Sequence, residues 1–130
     1  MTNTSIDTGS GKAGPYSHGI KSGDLIFVSG QIGDKDPDTG KMASQDVEVQ
    51  TLQTLNKLKK IVEAGGGTVA NIAKMTVFLK NIKDFSKMNA VYEKFFKDNG
   101  VTSVFPARST IEANLAFEEI LVEIDCFAVL

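Results

Sequence analysis

Two helical segments must share this chain with several strands that carry apolar residues on both sides. The segments LIFVSG, MTVFL and ILVEIDCFAV are almost continuously apolar, which is typical of strands with two buried faces. Two consecutive right-handed crossover helices cover only one face of a sheet. The sequence therefore predicts that the second face needs a partner, and the simplest partner is another copy of the chain. The alternative is that irregular segments of the same chain fold back over that face.

Turn and cap residues give the order of the elements. Gly23 can turn an opening hairpin, Ser44 can cap a first helix that begins with Asp46 and Glu48, and Asp84 can cap a second one. Glycines at 65–67 and at Gly100 end the two helices. The predicted fold class is α/β (α+β), a single domain over 1–130 of order ββαβαββ with a flexible N-terminal segment over 1–13. The elements are strands 16–20 and 25–31, helix 44–64, strand 74–80, helix 84–99 and strands 107–113 and 119–129.

The apolar faces of the two helices are predicted from their 3.6-residue period. Such stripes are typical of helix faces that pack on a core, so the aromatic residues among them are interpreted as core. The predicted core positions are Leu52, Leu55, Leu58 and Val62 in the first helix, and Phe85, Met88, Tyr92, Phe95 and Phe96 in the second.

Composition excludes several classes of protein. A single cysteine cannot form an internal disulfide, and one histidine, expected at the surface or an interface, cannot supply a zinc site. A net charge of -2 without a basic stripe disfavours nucleic-acid binding. No segment approaches the roughly 20 apolar residues that span a bilayer, and the polar start lacks a secretory pattern. We expect a cytoplasmic protein without a membrane span.

Arg108 and Glu123 place two charges in otherwise apolar strand segments. A short loop centred between Leu115 and Ala116 would pair residues whose numbers sum to 231, which sets Arg108 opposite Glu123 on the uncovered face. The pair could be a structural ion pair between strands, contributing about 0.2–1 kcal/mol. Alternatively, the guanidinium binds a substrate carboxylate while Glu123 handles water. A neighbouring cation should lower the pKa of Glu123, which favours orientation of water over proton abstraction.

Eight segments in a fixed order carry a resemblance to a known family. From Gly14 to near the C-terminus the chain resembles the RidA (YjgF) family of reactive intermediate deaminases. The segments are GPYS at 14–17, FVSGQ at 27–31, DTG at 38–40, QT at 50–51, TVFL at 76–79, Asn89 with Tyr92 and the 95–96 phenylalanines, PARS at 106–109 and VEI at 122–124.

The resemblance implies a chorismate mutase-like subunit in a homotrimer, with the three sheets forming a central barrel and active sites in clefts between subunits. It also implies hydrolysis of 2-imino and 2-enamino acids, such as 2-aminoacrylate, 2-iminopropanoate and 2-iminobutanoate, to 2-keto acids and ammonia. No cofactor or metal is implied. Carried onto this chain, Arg108 would hold the substrate carboxylate, Glu123 would position or activate water, and Tyr16 would come from the neighbouring subunit. Ser29, Asn89 and backbone groups of Gly30 and Thr110 would bind substrate.

Some departures from the family pattern leave open the substrate and the class of function. Thr110 stands where many relatives carry cysteine, and the loop at 33–40 is one residue longer than usual. Two alternatives to an imine hydrolase are considered. One is a non-catalytic ligand-binding or chaperone-like regulator that uses the same cleft, and the other is an endoribonuclease or translation inhibitor, which the acidic charge disfavours.

Overall fold

A six-stranded mixed sheet and two α-helices form the main elements of the described residues. The computed structural model describes residues 2–35, 39–40 and 44–130, so residues 36–38 of the 33–40 loop and Met1 lie outside the described residues. The elements are β1 (Thr4–Ile6), β2 (Gly19–Ser22), β3 (Leu25–Ile32), α1 (Val47–Ala64), β4 (Ile72–Leu79), α2 (Phe85–Asp98), β5 (Ala107–Glu112) and β6 (Val122–Val129).

The first strand is an addition to the predicted order. Residues 1–13 are predicted to be a flexible segment, whereas Thr4–Ile6 pairs antiparallel with β2. Ile6 is only 7% exposed and belongs to the core, because apolar burial favours docking of this short strand. The next turn is as predicted: Ser22 faces Leu25 across a two-residue turn, and Gly23 has a φ of 60°.

The last two strands are not neighbours, and the predicted Arg108–Glu123 register is wrong. The strand order is β1-β2-β3-β6-β4-β5, so β6 inserts between β3 and β4, and β5 pairs with β4 in parallel. Arg108 lies beside Met75, while Glu123 lies between Ile32 and Phe78. The segment 113–121 carries the chain across β4 instead of forming a tight hairpin.

Both helices pack on one face of the sheet. On that face the apolar side chains of β3, β4 and β6 are buried, and they form the core with the apolar stripes of the helices. The other face keeps large apolar side chains exposed, as predicted for a sheet that is covered on one side. These exposed residues are Leu25, Phe27, Ile111, Phe127 and Val129, each between 40% and 49% accessible; we call this set the open face.

Helix α1 begins at a different cap from the predicted one. Asp46, not Ser44, is the N-cap, and its Oδ1 accepts hydrogen bonds from the backbone N–H groups of Glu48 and Val49 at 2.8 and 3.3 Å. A carboxylate also interacts favourably with the positive end of the helix dipole, which a serine cannot match. The prediction that Leu52 faces the core is wrong, since it is 45% exposed.

Helix α2 also departs from its predicted face at one end. Phe85 is 39% exposed, whereas Met88, Tyr92, Phe95 and Phe96 are buried as predicted. Asp84 is the N-cap residue, but its side chain makes no capping hydrogen bond. Within the described ranges, neither helix is long and apolar enough to cross a bilayer.

Candidate active site

A bulge in β3 brings the backbone against the carboxylate of Glu123. The register between β3 and β6 shifts between Val28 and Gln31, so Ser29 and Gly30 together oppose a single residue of β6. A Cβ atom on residue 30 would overlap the Glu123 carboxyl group and its Oε2 atom. Only glycine leaves room for the acid there, and bulges of this kind commonly re-aim side chains beside active sites.

Glu123 opens into a cleft of about 910 Å³. The walls come from β3, from the N-terminal segment 9–13 and from the 116–120 part of the loop before β6. Three of the predicted site residues, Tyr16, Ser29 and Gly30, line the same cleft. The structure therefore brings four of the seven predicted residues around one cavity.

The hydroxyl groups in this cleft are partly engaged. The Tyr16 hydroxyl accepts a hydrogen bond from the backbone N–H of Ala13 at 3.1 Å, so its own proton remains free to be donated. The Ser29 hydroxyl donates to the carbonyl of Ser17 at 2.6 Å, which ties β3 to the chain before β2. Ser29 can thus offer a ligand only its acceptor lone pairs.

The electrostatic environment of Glu123 differs from the expected one. Burial raises the pKa of the Glu123 carboxyl above its ordinary value, and the negative charge of Asp125 raises it further. The expectation that a cation lowers this pKa is wrong for the single chain, because Arg108 is not its neighbour in the sheet. A raised pKa makes this carboxylate a better proton acceptor near neutral pH.

Arg108 lies at a second position, against α2. It shares a cavity of about 410 Å³ with Asn89 and Tyr92. Its Nη1 donates to Asn89 Oδ1 at 2.7 Å, and its Cζ lies 4.7 Å from the centre of the Tyr92 ring and 5.5 Å from that of Phe85. Among the described residues, no carboxylate lies within ion-pair distance of this guanidinium. Arg108 is also the single arginine of the chain.

The two sets of site residues occupy opposite faces of the sheet. Arg108 pairs with Met75, which is fully buried beneath the helices, whereas Glu123 pairs with Phe78 on the open face. Two strand spacings, roughly 10 Å, also separate β5 from β6. Thr110 alternates with Arg108 along β5 and so shares its face; its hydroxyl is buried without a hydrogen-bond partner. We call Arg108, Asn89 and Thr110 the arginine set, and Tyr16, Ser29, Gly30 and Glu123 the glutamate set.

Several residues around these sets were not predicted to take part. His18 is only 2% exposed in the single chain, whereas a position at the surface or an interface was expected. Its Nδ1 accepts from the backbone N–H of Thr8 at 3.2 Å, which holds the N-terminal wall of the cleft. Lys57 of α1 pairs with Asp34 at the same cleft. The spacing of Asn89 and Tyr92 on one helix face was the available signal for the contacts to Arg108.

No metal site accompanies these residues in the part of the chain that is described. Nowhere in that part do three or more histidine, cysteine, aspartate or glutamate side chains converge into a group able to hold an ion. The only cysteine, Cys126, is buried, and desolvation raises its thiol pKa to about 12. A thiol in that environment stays protonated at neutral pH.

Comparison with known proteins decides the family. The family model described as "Endoribonuclease L-PSP" matches residues 9–130. This chain belongs to the RidA (YjgF) family. The crystal structure of the YjgF gene product from E. coli superposes with a TM-score of 0.87 at 40% identity, covering 97% of this chain and 98% of that one.

Other RidA-family proteins are similarly close to this chain. A protein of Salmonella typhimurium named 2-iminobutanoate/2-iminopropanoate deaminase is 44% identical over 116 residues, which cover 89% of this chain and 88% of that protein. A protein of Pyrococcus horikoshii, named only as a RutC family protein, is 40% identical over 115 residues, or 88% and 86% of the two chains. The structure of E. coli TdcF with bound serine gives a TM-score of 0.88 at 36% identity, with 98% of each chain covered.

Proposed function

We propose that this chain is a 2-iminobutanoate/2-iminopropanoate deaminase, which hydrolyses short 2-imino and 2-enamino acids to 2-keto acids and ammonia. The observation that carries the proposal is the environment of two charged residues, Arg108 and Glu123. The chain that holds them is 44% identical to a protein of that name. Arg108 lacks an acidic partner among the described residues, and Glu123 is partly desolvated beside a cleft. A cytoplasmic location is part of the proposal.

The arginine set and the glutamate set must come from two copies of the chain. The carboxylate and the imine carbon of a 2-imino acid are directly bonded, so both charged residues must act within a few ångströms of each other. Within one chain they lie on opposite faces and two strands apart, roughly 10 Å in the plane of the sheet alone. Contact between the arginine set of one copy and the glutamate set of the next would bring them together. Tyr16 would then lie beside Glu123 of the same subunit, next to the subunit that supplies Arg108.

The open face supports association of copies. Phe27 and Phe127 pack edge to face at 5.3 Å and remain 40% and 47% exposed, and contiguous apolar surface of this kind marks interaction sites. The edge strand β5 also presents unpaired backbone groups, which chains usually cover. A contact between two different surfaces is head-to-tail, and it forms a ring when the rotation between copies closes and a filament when it does not. We propose that the ring has three copies, with the open faces toward the centre.

The proposed reaction begins with placement of substrate and water. The substrate carboxylate binds the Arg108 guanidinium through two parallel hydrogen bonds. Backbone groups of Gly30 and Thr110 bind the remainder of the substrate, and the Tyr16 hydroxyl donates a hydrogen bond to it. Glu123 holds a water molecule against the imine carbon. An enamine first takes a proton from solvent at its terminal carbon and becomes the iminium form. The iminium is already electrophilic, so placement supplies most of the rate.

Hydrolysis then needs one proton acceptor that acts twice. Water adds to the imine carbon, the new C–O bond forms, and the C=N π electrons move to nitrogen while Glu123 takes a proton from the water. Glu123 returns that proton to the nitrogen. The carbinolamine collapses as Glu123 takes its hydroxyl proton, C=O forms and the C–N bond breaks, releasing the 2-keto acid and ammonia, which takes up that proton as ammonium. In the assembled site Arg108 of the next copy would oppose the raised pKa that Glu123 has in the single chain. The substrate carboxylate neutralises part of that positive charge, so burial can keep the pKa of Glu123 closer to the working pH, where a base is most effective.

A coupled assay tests the proposal. Threonine dehydratase generates the imine in place, and formation of 2-oxobutanoate is followed with and without the protein. We expect acceleration by the wild type and by Lys94→Gln, an exposed α2 variant away from both sets, and none by Arg108→Ala or Glu123→Gln. Lack of acceleration by a folded wild type would contradict the enzyme. Binding of 2-oxobutanoate without turnover would instead support the regulator.

A further inference from the structure

Three side chains of one helix face surround the guanidinium of Arg108. Asn89 accepts a hydrogen bond from Nη1 at 2.7 Å. The rings of Tyr92 and Phe85 lie 4.7 and 5.5 Å from Cζ. Positions 85, 89 and 92 are spaced by four and three residues, so they share a face of α2. One short stretch of helix therefore makes all three contacts.

These contacts leave one edge of the guanidinium available. Nη1 is engaged by Asn89, whereas Nε and Nη2 have no hydrogen-bond partner within the described ranges. Nε and Nη2 lie side by side and donate in parallel, which is one of the two ways in which arginine binds a carboxylate bidentately. The ring contacts restrict the position of the guanidinium, and the Asn89 amide restricts its rotation.

The three side chains that contact the guanidinium are also neutral. Glu93, the acidic residue that lines the same cavity, forms an ion pair with Lys97 at 2.8 Å. Asn89 and Phe85 carry no charge, and burial raises the pKa of Tyr92 to about 12, so the phenol stays protonated at neutral pH. The Tyr92 hydroxyl is buried without a hydrogen-bond partner. The ring therefore contributes its face to the cation, while the positive charge of Arg108 is left uncompensated for an anionic ligand.

We propose that Asn89, Tyr92 and Phe85 are positioning residues that act through Arg108, and that they present its Nε–Nη2 edge to a substrate carboxylate. Asn89 then does not bind substrate itself, which differs from the role expected of it by resemblance to the family. The inference rests on the proposed function only for the identity of the carboxylate. The orientation of the side chain is a property of the free protein.

The single arginine allows a test that needs no ligand. Labelling the protein with ¹³C,¹⁵N-arginine yields one set of guanidinium NMR signals. In the wild type we expect separate Nη1 and Nη2 signals, because hydrogen bonding to Asn89 slows rotation about the Cζ–N bonds. In Asn89→Ala we expect one averaged signal, and in the α2 control Ser86→Ala the wild-type pattern. Averaged signals in the folded wild type, or separate ones in Asn89→Ala, would overturn the inference.

A double-mutant cycle separates positioning from direct contact with the ligand. Binding of 2-oxobutanoate is measured for the wild type, Asn89→Ala, Arg108→Lys and the double variant. We expect Asn89→Ala to weaken binding about tenfold when Arg108 is present and less than about twofold when it is replaced. Equal losses in both backgrounds would mean that Asn89 contacts the ligand, and no loss in either would mean that it positions nothing.

The proposed function can fail separately from this inference. A wild type that binds 2-oxobutanoate with the expected coupling, but does not accelerate imine hydrolysis, overturns the deaminase and retains the positioning role. A wild type that hydrolyses imines while Asn89→Ala changes neither the NMR signals nor KM overturns the positioning role and retains the deaminase. Failure of the wild type to bind 2-oxobutanoate removes the carboxylate site, and with it the inference.

Discussion

Gly30 and Glu123 face each other so closely that a Cβ atom on residue 30 would overlap the Glu123 carboxylate. The contact crosses from the bulge of β3 to β6, and it fixes where the carboxylate can lie. Because Glu123 holds the attacking water in the proposed reaction, this contact also fixes the position of the water.

Gly30→Ala should therefore impair catalysis more than folding. Displacing Glu123 by about 1 Å should lower kcat about 100-fold, while the partly exposed carboxylate can move aside without unfolding the chain. The measurement is the coupled assay together with thermal unfolding. Gly11→Ala, on the wall of the same cleft, is the matched control, since a Cβ atom there meets nothing within 4 Å. Equal activity in the two variants would contradict the assigned position of Glu123.

Removing the charge of Glu123 should stabilise the fold at neutral pH. The pKa of this carboxyl is raised in the folded chain, so its ionised form opposes folding. That cost is fully present above the folded pKa, and it disappears below the unfolded value of about 4.3. Glu123→Gln should thus raise the Tm of the dissociated chain at pH 7, with a gain that shrinks as the pH falls. A lower Tm at pH 7 would show that the carboxylate supports the fold.

Asp125 should set part of the pH dependence of the reaction. Its negative charge raises the pKa of Glu123, and Glu123 must be ionised to accept a proton. Asp125→Asn should lower that pKa and move the acidic limb of the kcat profile to lower pH. Profiles of kcat against pH for the wild type and Asp125→Asn provide the measurement. An acidic limb at the same pH in both proteins would show that Glu123 is not the proton acceptor.

The open face should be required for both assembly and activity. Phe127→Glu puts a charge on a side chain that is 47% exposed in the single chain and is expected to be buried between copies. We expect sedimentation to report a monomer and the coupled assay to report no activity. Leu52→Glu is the control, because Leu52 is similarly exposed at 45% but lies on α1. Dissociation by the control alone would place the interface on the helical side.

Local signals predicted most of the elements. Gly23 and Gly66 adopt positive φ values where the sequence requires a hairpin turn and a helix end, because these conformations depend on the residue itself. The helical stripe likewise identified Leu55 and Leu58 as core. The N-cap of α1 was not predicted correctly because Ser44 and Asp46 are both good N-cap residues. Which of them caps the helix depends on the path of the chain into the helix.

Strand pairing was the part that the sequence could not supply. The alternation of apolar and polar residues assigns Arg108 and Glu123 to strands, but it does not indicate which strands are neighbours in the sheet. The assumption of a tight hairpin between β5 and β6 placed the two residues in one chain on one face. In the structure β6 pairs with β4 and β3, and the two charged residues lie on opposite faces. The site residues were recognised from their segments, while their division into two sets required the topology.

Restoration of activity by mixing two inactive variants tests the central claim most directly. Arg108→Ala and Glu123→Gln are unfolded together in equal amounts and reassembled, so that the copies combine at random. If each site takes Arg108 from one copy and Glu123 from the next in a closed ring, about one quarter of the sites contain both residues. We predict that the mixture recovers about one quarter of wild-type activity in the coupled assay. A mixture as inactive as its two components would contradict a site shared between copies.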